Sequence, residues 1–313
     1  GLECELRIFG EEEFGAALLY FTGSMEFNVE LRRLARSKSM KLNEYGLYKN
    51  GERIASKTEK EIFRALGLEY IQPELRENNG EIEAAARGNL PSLIREDQIM
   101  GDLHIHTIWS DGTETIETMA RAAEGLGYEY IAVTDHSGSL KIAGGLDEEK
   151  LQRQIEEIDK LDLKVHIFKG IEVNIRLDGQ LDIPDDILSK LDIVIASVHS
   201  PGREDMTERI LSAIQDKHVH MIGHPTGRKL FQREEYPLNL DRIFEEAAKT
   251  GTILEINANP IRLDLRDIYI KKAIEYGCKL AINSDAHRLP DLHNMKWGVK
   301  TARRGWATPH DII

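Results

Sequence analysis

Only two cysteines, Cys4 and Cys278, occur in the 313 residues. That scarcity excludes a disulfide framework and thiol-rich zinc knuckles, and makes a reducing cytoplasm the expected compartment. Long apolar runs are missing too. The longest uncharged stretch, Phe14 to Met25, is twelve residues and contains Thr22, Gly23 and Ser24, short of the roughly 20 that a membrane helix needs. No segment reads as a secretory leader. Excess positive charge is also lacking: 41 basic residues stand against 54 acidic ones, a net charge of −13. This excludes a wholly basic nucleic-acid coat but leaves room for a local basic groove. Neither solenoid-period repeats nor low-complexity tracts are found. The chain opens at Gly1 without Met and runs into an expected strand, Glu5 to Phe9, so it is expected to be a piece of something longer.

What is present is a globular balance, 41% hydrophobic and 30% charged, over a length that fits one large α/β barrel or a mid-sized domain with a smaller module. From Asp102 onward, β-rich runs alternate with amphipathic stretches. They predict seven strands: Leu103–Thr107, Tyr130–Thr134, Val165–Val173, Ile193–Val198, Val219–Gly223, Thr252–Asn257 and Lys279–Asn283. Such alternation predicts βα units around a parallel sheet. Ile116, Met119, Ala120 and Ala123 repeat at helical spacing, as do Leu151, Ile155, Ile158 and Leu161, and should pack on its outside. The first hundred residues predict a strand, a helix near Val29 to Arg36, an extended pair around Tyr45 to Ile54 and a helix at Glu59 to Leu66. The domains expected are residues 1–77, a linker over 78–98, and 99–313.

The histidines are placed at strand ends. His104 and His106 lie two apart on a strand and so share a face, as two ligands of one metal must. Asp285 and His287 repeat the spacing. Asp111 follows the first strand, His136 the second, His199 the fourth and His224 the fifth, while Glu172 ends the third. The carboxyl-end rim of a parallel barrel is where loops from distant parts of the chain converge. Taken singly, Asp111 before Gly112 reads equally as a turn residue and Glu172 as a partner for an arginine. Six histidines and three carboxylates at one rim are harder to explain without metal. Nine donors exceed the needs of one ion, so two or three divalent metals are expected, with Glu172 as the candidate bridge. Nitrogen and oxygen donors without thiolate suit zinc, manganese or iron, and the sequence does not choose among them. Such centres make hydroxide available near neutral pH and clamp phosphoryl oxygens, so phosphoester hydrolysis is the expected reaction.

The segments GDLHIHT, SDG, TDHS, GIEVN, SVHS, GHPTGR, LEINANP and NSDAH resemble the polymerase and histidinol phosphatase superfamily across Asp102 to Ile313. The connecting stretches TIETMARAAEGLGYEYIAVTDHS, AGGL and GVKTARRGW are similar to the version fused to bacterial and archaeal X-family DNA polymerases. The resemblance implies a distorted (βα)7 barrel preceded by a small α+β, thumb-like fragment, with a trinuclear site. It implies His104, His106, Glu172 and Asp285 on one metal, where the catalysis is expected. Glu172, His199 and His224 would hold a second, and Asp111, His136 and His287 a third. FGAALLYFTGSMEFN and LNEYGLY resemble the junction of palm and thumb. Tyr20, Phe21, Gly23 and Ser24 match the nucleotide-pocket stretch, and Asn28 and Arg32 the helix that reaches the nascent base pair. Glu5 stands where the family usually has its third metal-holding Asp, and the other two carboxylate strands are missing, so no polymerisation is expected from this chain.

The function expected is a metal-dependent 3′-5′ exonuclease or 3′-end-processing module acting on gapped or single-stranded DNA. Arg203, Arg228, Lys229 and Arg233 are the candidate DNA contacts near the rim. The basic run Arg32, Arg33, Arg36, Lys38 and Lys41 reads equally as a phosphate contact or a solvated face. A phosphomonoesterase of the histidinol-phosphatase kind is the alternative. A non-catalytic platform for the polymerase is disfavoured because all nine positions keep their donors.

Overall fold

The computed structural model describes residues 3–138, 144–200 and 204–313. The chain divides into two compact units, residues 1–92 and 93–313.

The first unit carries helices α1 (Phe14–Tyr20), α2 (Met25–Ser37), α3 (Glu59–Ala65) and α4 (Glu81–Arg87), with an antiparallel sheet of β1 (Met40–Asn43), β2 (Gly46–Lys49) and β3 (Glu52–Ala55). Ser24 starts α2 by accepting a hydrogen bond from the Phe27 amide, and Thr58 with Glu61 forms a capping box at α3. Such caps satisfy amides that the first helical turn leaves free. Phe27, Leu31, Leu47, Ile62 and Phe63 are fully buried and form the core.

Three features depart from expectation. Residues 5–9 are not a strand, and Leu6 and Ile8 are almost fully exposed, because no neighbouring strand among the described residues gives them a hydrogen-bonded ladder. The apolar stretch from Phe14, too short for a membrane, forms α1. Helix α4 lies within the stretch expected as linker; Glu81 accepts the amides of Asn78 and Asn79, each at 2.7 Å, and Ile82 and Ala85 are buried. Two turns of helix give too few apolar repeats to read from sequence.

The second unit is a seven-stranded parallel sheet, β4 (Gly101–Ile105), β5 (Tyr130–Val133), β6 (His166–Asn174), β7 (Ile193–Ser197), β8 (Met221–Ile222), β9 (Ile253–Asn257) and β10 (Leu280–Asn283). Each strand pairs in parallel with the next in sequence. The ends of β4 and β10 approach through a bridge between Ile105 and Ala286, where the His106 amide donates to the Ala286 carbonyl at 2.8 Å. The result is a nearly closed barrel. Helices α5 (Ile116–Gly125), α6 (Glu148–Ile158), α7 (Asp185–Leu188), α8 (Thr207–Ile214), α9 (Leu240–Thr250), α10 (Asp267–Glu275) and α11 (Met295–Arg304) complete the unit. Ile116, Met119, Ala120 and Ala123 are the buried stripe of α5, as their spacing predicts. Leu103, Ala132, Ile195, Met221 and Ala281 cluster, one side chain from each of five strands.

Candidate metal centre

The centre is assembled where strands end. His104 lies in β4 and Glu172 in β6, while His106, His136, His199, His224 and Asp285 follow β4, β5, β7, β8 and β10 within three residues. Buried polar side chains pin these ends. The Asp102 carboxylate accepts the amides of His104 (3.2 Å) and Ser284 (3.1 Å), joining β4 to the end of β10. Asp135 accepts the Thr107 amide (2.8 Å), both the Thr107 and Ser110 hydroxyls, and the Gln154 amide (2.7 Å), which fixes the loop that carries Asp111. At Gly112 a Cβ would fall 2.6 Å from the His106 carbonyl, so the SDG turn packs directly on the β4 end. Asp285 and His224 hold positive φ values of 52° and 29°, a conformation that residues with side chains take up mainly when the surroundings enforce it.

Glu172 is the hub. Its Oε1 lies 3.2 Å from His199 Nε2 and 3.1 Å from His224 Nε2. Its Oε2 lies 2.8 Å from His136 Nδ1, 3.5 Å from His104 Nε2 and 3.6 Å from His106 Nε2. Asp285 Oδ1 is 3.2 Å from His106 Nε2 and 3.7 Å from His104 Nε2. Asp111 faces the far side of the cluster, 3.5 Å from His136 Nε2, 3.4 Å from His287 Nε2 and 3.8 Å from His106 Nδ1. His106 and His287 stack with ring centres 4.1 Å apart.

Three groups of donor atoms lie close enough to share an ion: His106, Asp111, His136 and His287; His104, His106 and Glu172; and His136, Glu172 and His199. The buried nitrogens argue that they do. His104 Nε2, both ring nitrogens of His106 and of His199, and the Nδ1 atoms of His136 and His224 are buried without an aligned hydrogen-bond partner, as is Glu172 Oε1. Native proteins seldom leave buried polar atoms unsatisfied, and clustered imidazole and carboxylate donors fit divalent metals.

Proton affinities in the metal-free cluster are polarised. Burial alone would raise Glu172, but the charges of His199, His136 and His104 outweigh it and hold the carboxyl well below the usual range. Asp285 behaves alike, with His104, His106 and Arg262 outweighing burial. Burial and the neighbouring charges of His287 and His136 push His106 down to about 3, and burial with the charge of Arg262 pushes His224 down to about 4. His136 goes the other way: burial opposes, yet Glu172 and Asp111 raise it to about 10. Burial opposes at His104 too, yet Glu255, Glu172 and Asp285 raise it well above its usual value, so protons on His136 and His104 supply positive charge beside Glu172, and metals that need deprotonated ligands would displace them.

Several residues of the centre escape the strand-end reading. Glu255 and Asn257, both fully buried on β9, repeat the two-residue spacing of His104 and His106, a signal that was there to be used. Glu255 reaches His104, and Asn257 donates to Asp285 Oδ2 at 3.0 Å. Arg262 has no periodic signal; its Nε lies 3.4 Å from Asp285 Oδ2. Of the expected DNA contacts, Arg228 uses its guanidinium on the carbonyls of Arg262 and Leu263, Arg233 is bonded to the Gly227 carbonyl, and Arg203 lies outside the described residues, as does Ala143 of AGGL. In the first unit, Tyr20, Phe21, Gly23, Ser24, Asn28 and Arg32 gather at the junction of α1 and α2. Ser24 caps α2, Asn28 donates to the Ser24 carbonyl, and Arg32 lies 5.9 Å from the Tyr20 ring centre. Glu5 pairs with Arg7 at 2.8 Å outside any strand. No described helix is long and apolar enough to cross a membrane.

Comparison with known proteins agrees with this layout. A family model of the DNA polymerase beta thumb matches residues 17–77, and one of the PHP domain matches residues 102–259. The chain is 42% identical over 317 residues to the DNA polymerase/3'-5' exonuclease PolX of Bacillus subtilis, covering 99% of this chain and 55% of that protein. It therefore spans about half the length of that relative. It is 34% identical over 230 residues to a protein of Thermoanaerobacter sp. (strain X514) named "Probable phosphatase", covering 68% of this chain and 88% of the relative. A histidinol phosphate phosphatase of Lactococcus lactis, solved with zinc, L-histidinol and phosphate, aligns with a TM-score of 0.47 at 20% identity, over 65% of this chain and 93% of that one. The chain belongs to the PHP domain family, with a DNA polymerase beta thumb ahead of its PHP domain.

Proposed function

We propose that this chain is a metal-dependent phosphodiesterase that shortens DNA from the 3′ end, the end-processing half of an X-family polymerase. One observation carries the reading: six imidazoles and three carboxylates, with Glu172 at their centre, converge at the strand ends, and seven nitrogens of five of these imidazoles are buried without an aligned hydrogen-bond partner. The similarity to a polymerase named for a 3'-5' exonuclease supplies the substrate class.

In this reading His104, His106, Glu172 and Asp285 hold one ion, Glu172, His199 and His224 a second, and Asp111, His136 and His287 a third. Zinc, manganese and iron all suit the donors. When bound at these residues, such ions would supply a water of lowered pKa and offset charge on the phosphoryl oxygens. The protein's own part is positional. Glu172 presents one oxygen to each side of the cluster, and Glu255 and Asn257 fix His104 and Asp285 from behind. Burial keeps competing water out and strengthens each charge interaction. A phosphomonoesterase remains the second reading, favoured by the "Probable phosphatase" relative that this chain covers almost end to end.

The test is incubation of the chain with 5′-labelled single-stranded and gapped DNA plus manganese, with products resolved by length. A ladder shortening stepwise from the 3′ end is expected, and its loss in a folded His106→Ala variant. No DNA cleavage by a metal-loaded chain that hydrolyses p-nitrophenyl phosphate would overturn the diesterase reading in favour of the monoesterase.

A further inference from the structure

Arg262 is a buried charge without a sufficient partner. Its side chain is 11% exposed, its Nε faces Asp285 Oδ2 at 3.4 Å, and its Nη1 is buried with no hydrogen bond. The ion pair with Asp285, whose Oδ2 also accepts from Asn257, leaves Nη1 of the guanidinium unsatisfied. A guanidinium offers five donors in a planar fork and accepts nothing.

Two more cations stand close by. Lys229 is near enough to feel the charges of Arg262, Arg233 and Asp285, and its ammonium makes no hydrogen bond or ion pair among the described residues. Arg233 is held by the Gly227 carbonyl at 2.8 Å. The loops that carry these residues are clamped together. The Leu230 amide donates to the Ile261 carbonyl at 2.6 Å, Lys229 and Arg233 bridge, and Arg228 Nε donates to the Arg262 carbonyl at 2.9 Å. Three positive charges thus stand beside a cluster whose donors call for divalent cations. Like charges repel, and an incoming anion relieves what Asp285 and Asp264 leave unbalanced. A planar fork best matches an anion with several oxygens, such as a phosphoryl group.

We propose that Arg262, flanked by Lys229 and Arg233, seats the non-bridging oxygens of the substrate's phosphoryl group, with Asp285 orienting the guanidinium through Nε. The inference rests on the phosphoesterase reading of the adjoining centre, and binding of the anion itself separates the two. Arg228 has the different task of holding the two loops together.

The experiment titrates inorganic phosphate into the metal-loaded full chain by calorimetry, alongside metal content by mass spectrometry and KM for p-nitrophenyl phosphate. Arg262→Gln should weaken phosphate at least tenfold and raise KM with unchanged metal content, and Arg262→Lys should recover part of the loss. Should Arg262→Gln fail to fold, Lys229→Gln replaces it, with a loss of threefold or more expected. Phosphate binding that depends on Arg262 in a chain that cleaves no phosphoester would uphold the seat and sink the phosphoesterase reading. Unchanged phosphate affinity in the folded variants overturns the seat. So does loss of metal together with phosphate, which would make Arg262 only the counter-ion of Asp285.

Discussion

His104 Nδ1 lies 2.7 Å from Glu255 Oε1, and both side chains are fully buried. This contact fixes which ring nitrogen is left for a metal: with the Nδ1 proton donated to Glu255, loss of the other proton leaves the Nε2 lone pair pointing toward Glu172 and Asp285. Glu255 is itself fixed by the Asn283 amide (3.0 Å), the Asn257 amide (3.2 Å) and the His224 backbone amide (2.6 Å). One carboxylate therefore orients donors from β4 and from the loop after β8. Carboxylates behind a metal-bound histidine typically contribute 10- to 100-fold in metal affinity. Glu255→Gln should weaken metal binding by about that factor, read by competition with a chelator. Equal affinity in the two proteins would remove Glu255 from the centre.

Salt dependence tests the electrostatic part of the DNA reading. Each phosphate neutralised on a single strand contributes a slope of about −0.7 to log K against log salt. With Lys229, Arg233 and Arg262 gathered on one phosphate, a fivefold rise in salt should weaken binding of single-stranded DNA about 3-fold. Fluorescence anisotropy on a chain loaded with a non-catalytic ion reads this directly. A flat profile would leave these cations without a role in DNA binding.

Much of the barrel is legible in the sequence, for a definite reason. Parallel strands enclosed on both faces read as short apolar runs, and His104/His106 mark one strand end by spacing alone. All seven strand positions follow from such runs, although β8 shrinks to Met221–Ile222. That the nine expected donors gather in one cluster follows from their places at or beyond the strand ends. What stays hidden depends on contacts between distant segments. Arg262 lies in a loop with no periodicity, and its meaning comes from Asp285, which is brought near it only by the pairing of β9 with β10. Arg228 looks like a surface cation until its carbonyl partners are seen. The expected strand at Glu5 to Phe9 fails because a strand is defined by a neighbour that local sequence does not reveal.

The buried ion pair of Arg76 with Glu59 should dominate the stability of the first unit. Arg76 is fully buried, with Nη1 2.5 Å from Glu59 Oε1 and both Nε and Nη2 on the Ile71 carbonyl, between the Phe63 and Tyr70 rings. Removing one partner of such a pair strands the other charge, at a cost of about 3–5 kcal/mol. Arg76→Met should therefore destabilise the unit by about that amount in urea unfolding followed by circular dichroism. The double variant Arg76→Met/Glu59→Leu should recover much of it. If the double variant is no more stable than Arg76→Met alone, the stranded charge is not the cause.

Asp264 gives the clearest pH signature. It is fully buried and accepts the Thr226 amide at 3.0 Å and the Thr226 hydroxyl at 2.9 Å, which ties the loop after β9 to the one carrying His224. Burial raises its pKa to about 6, against the lowering effects of the Thr226 hydrogen bond and the charges of Arg262 and Arg228. A carboxyl whose folded pKa exceeds its unfolded value binds its proton more tightly when folded. Its stabilising contribution is therefore complete below the unfolded pKa of about 4 and is lost as pH rises through 6. Between pH 4 and 7 this one group should cost the folded protein about 2 kcal/mol. Asp264→Asn cannot ionise and should lack that component, while every other titrating group contributes equally to both proteins. Urea unfolding of metal-free protein at pH 4 and pH 7 gives the difference of differences. Identical pH slopes for the two proteins would mean that Asp264 ionises as readily folded as unfolded, and that its carboxylate, not its acid form, holds Thr226.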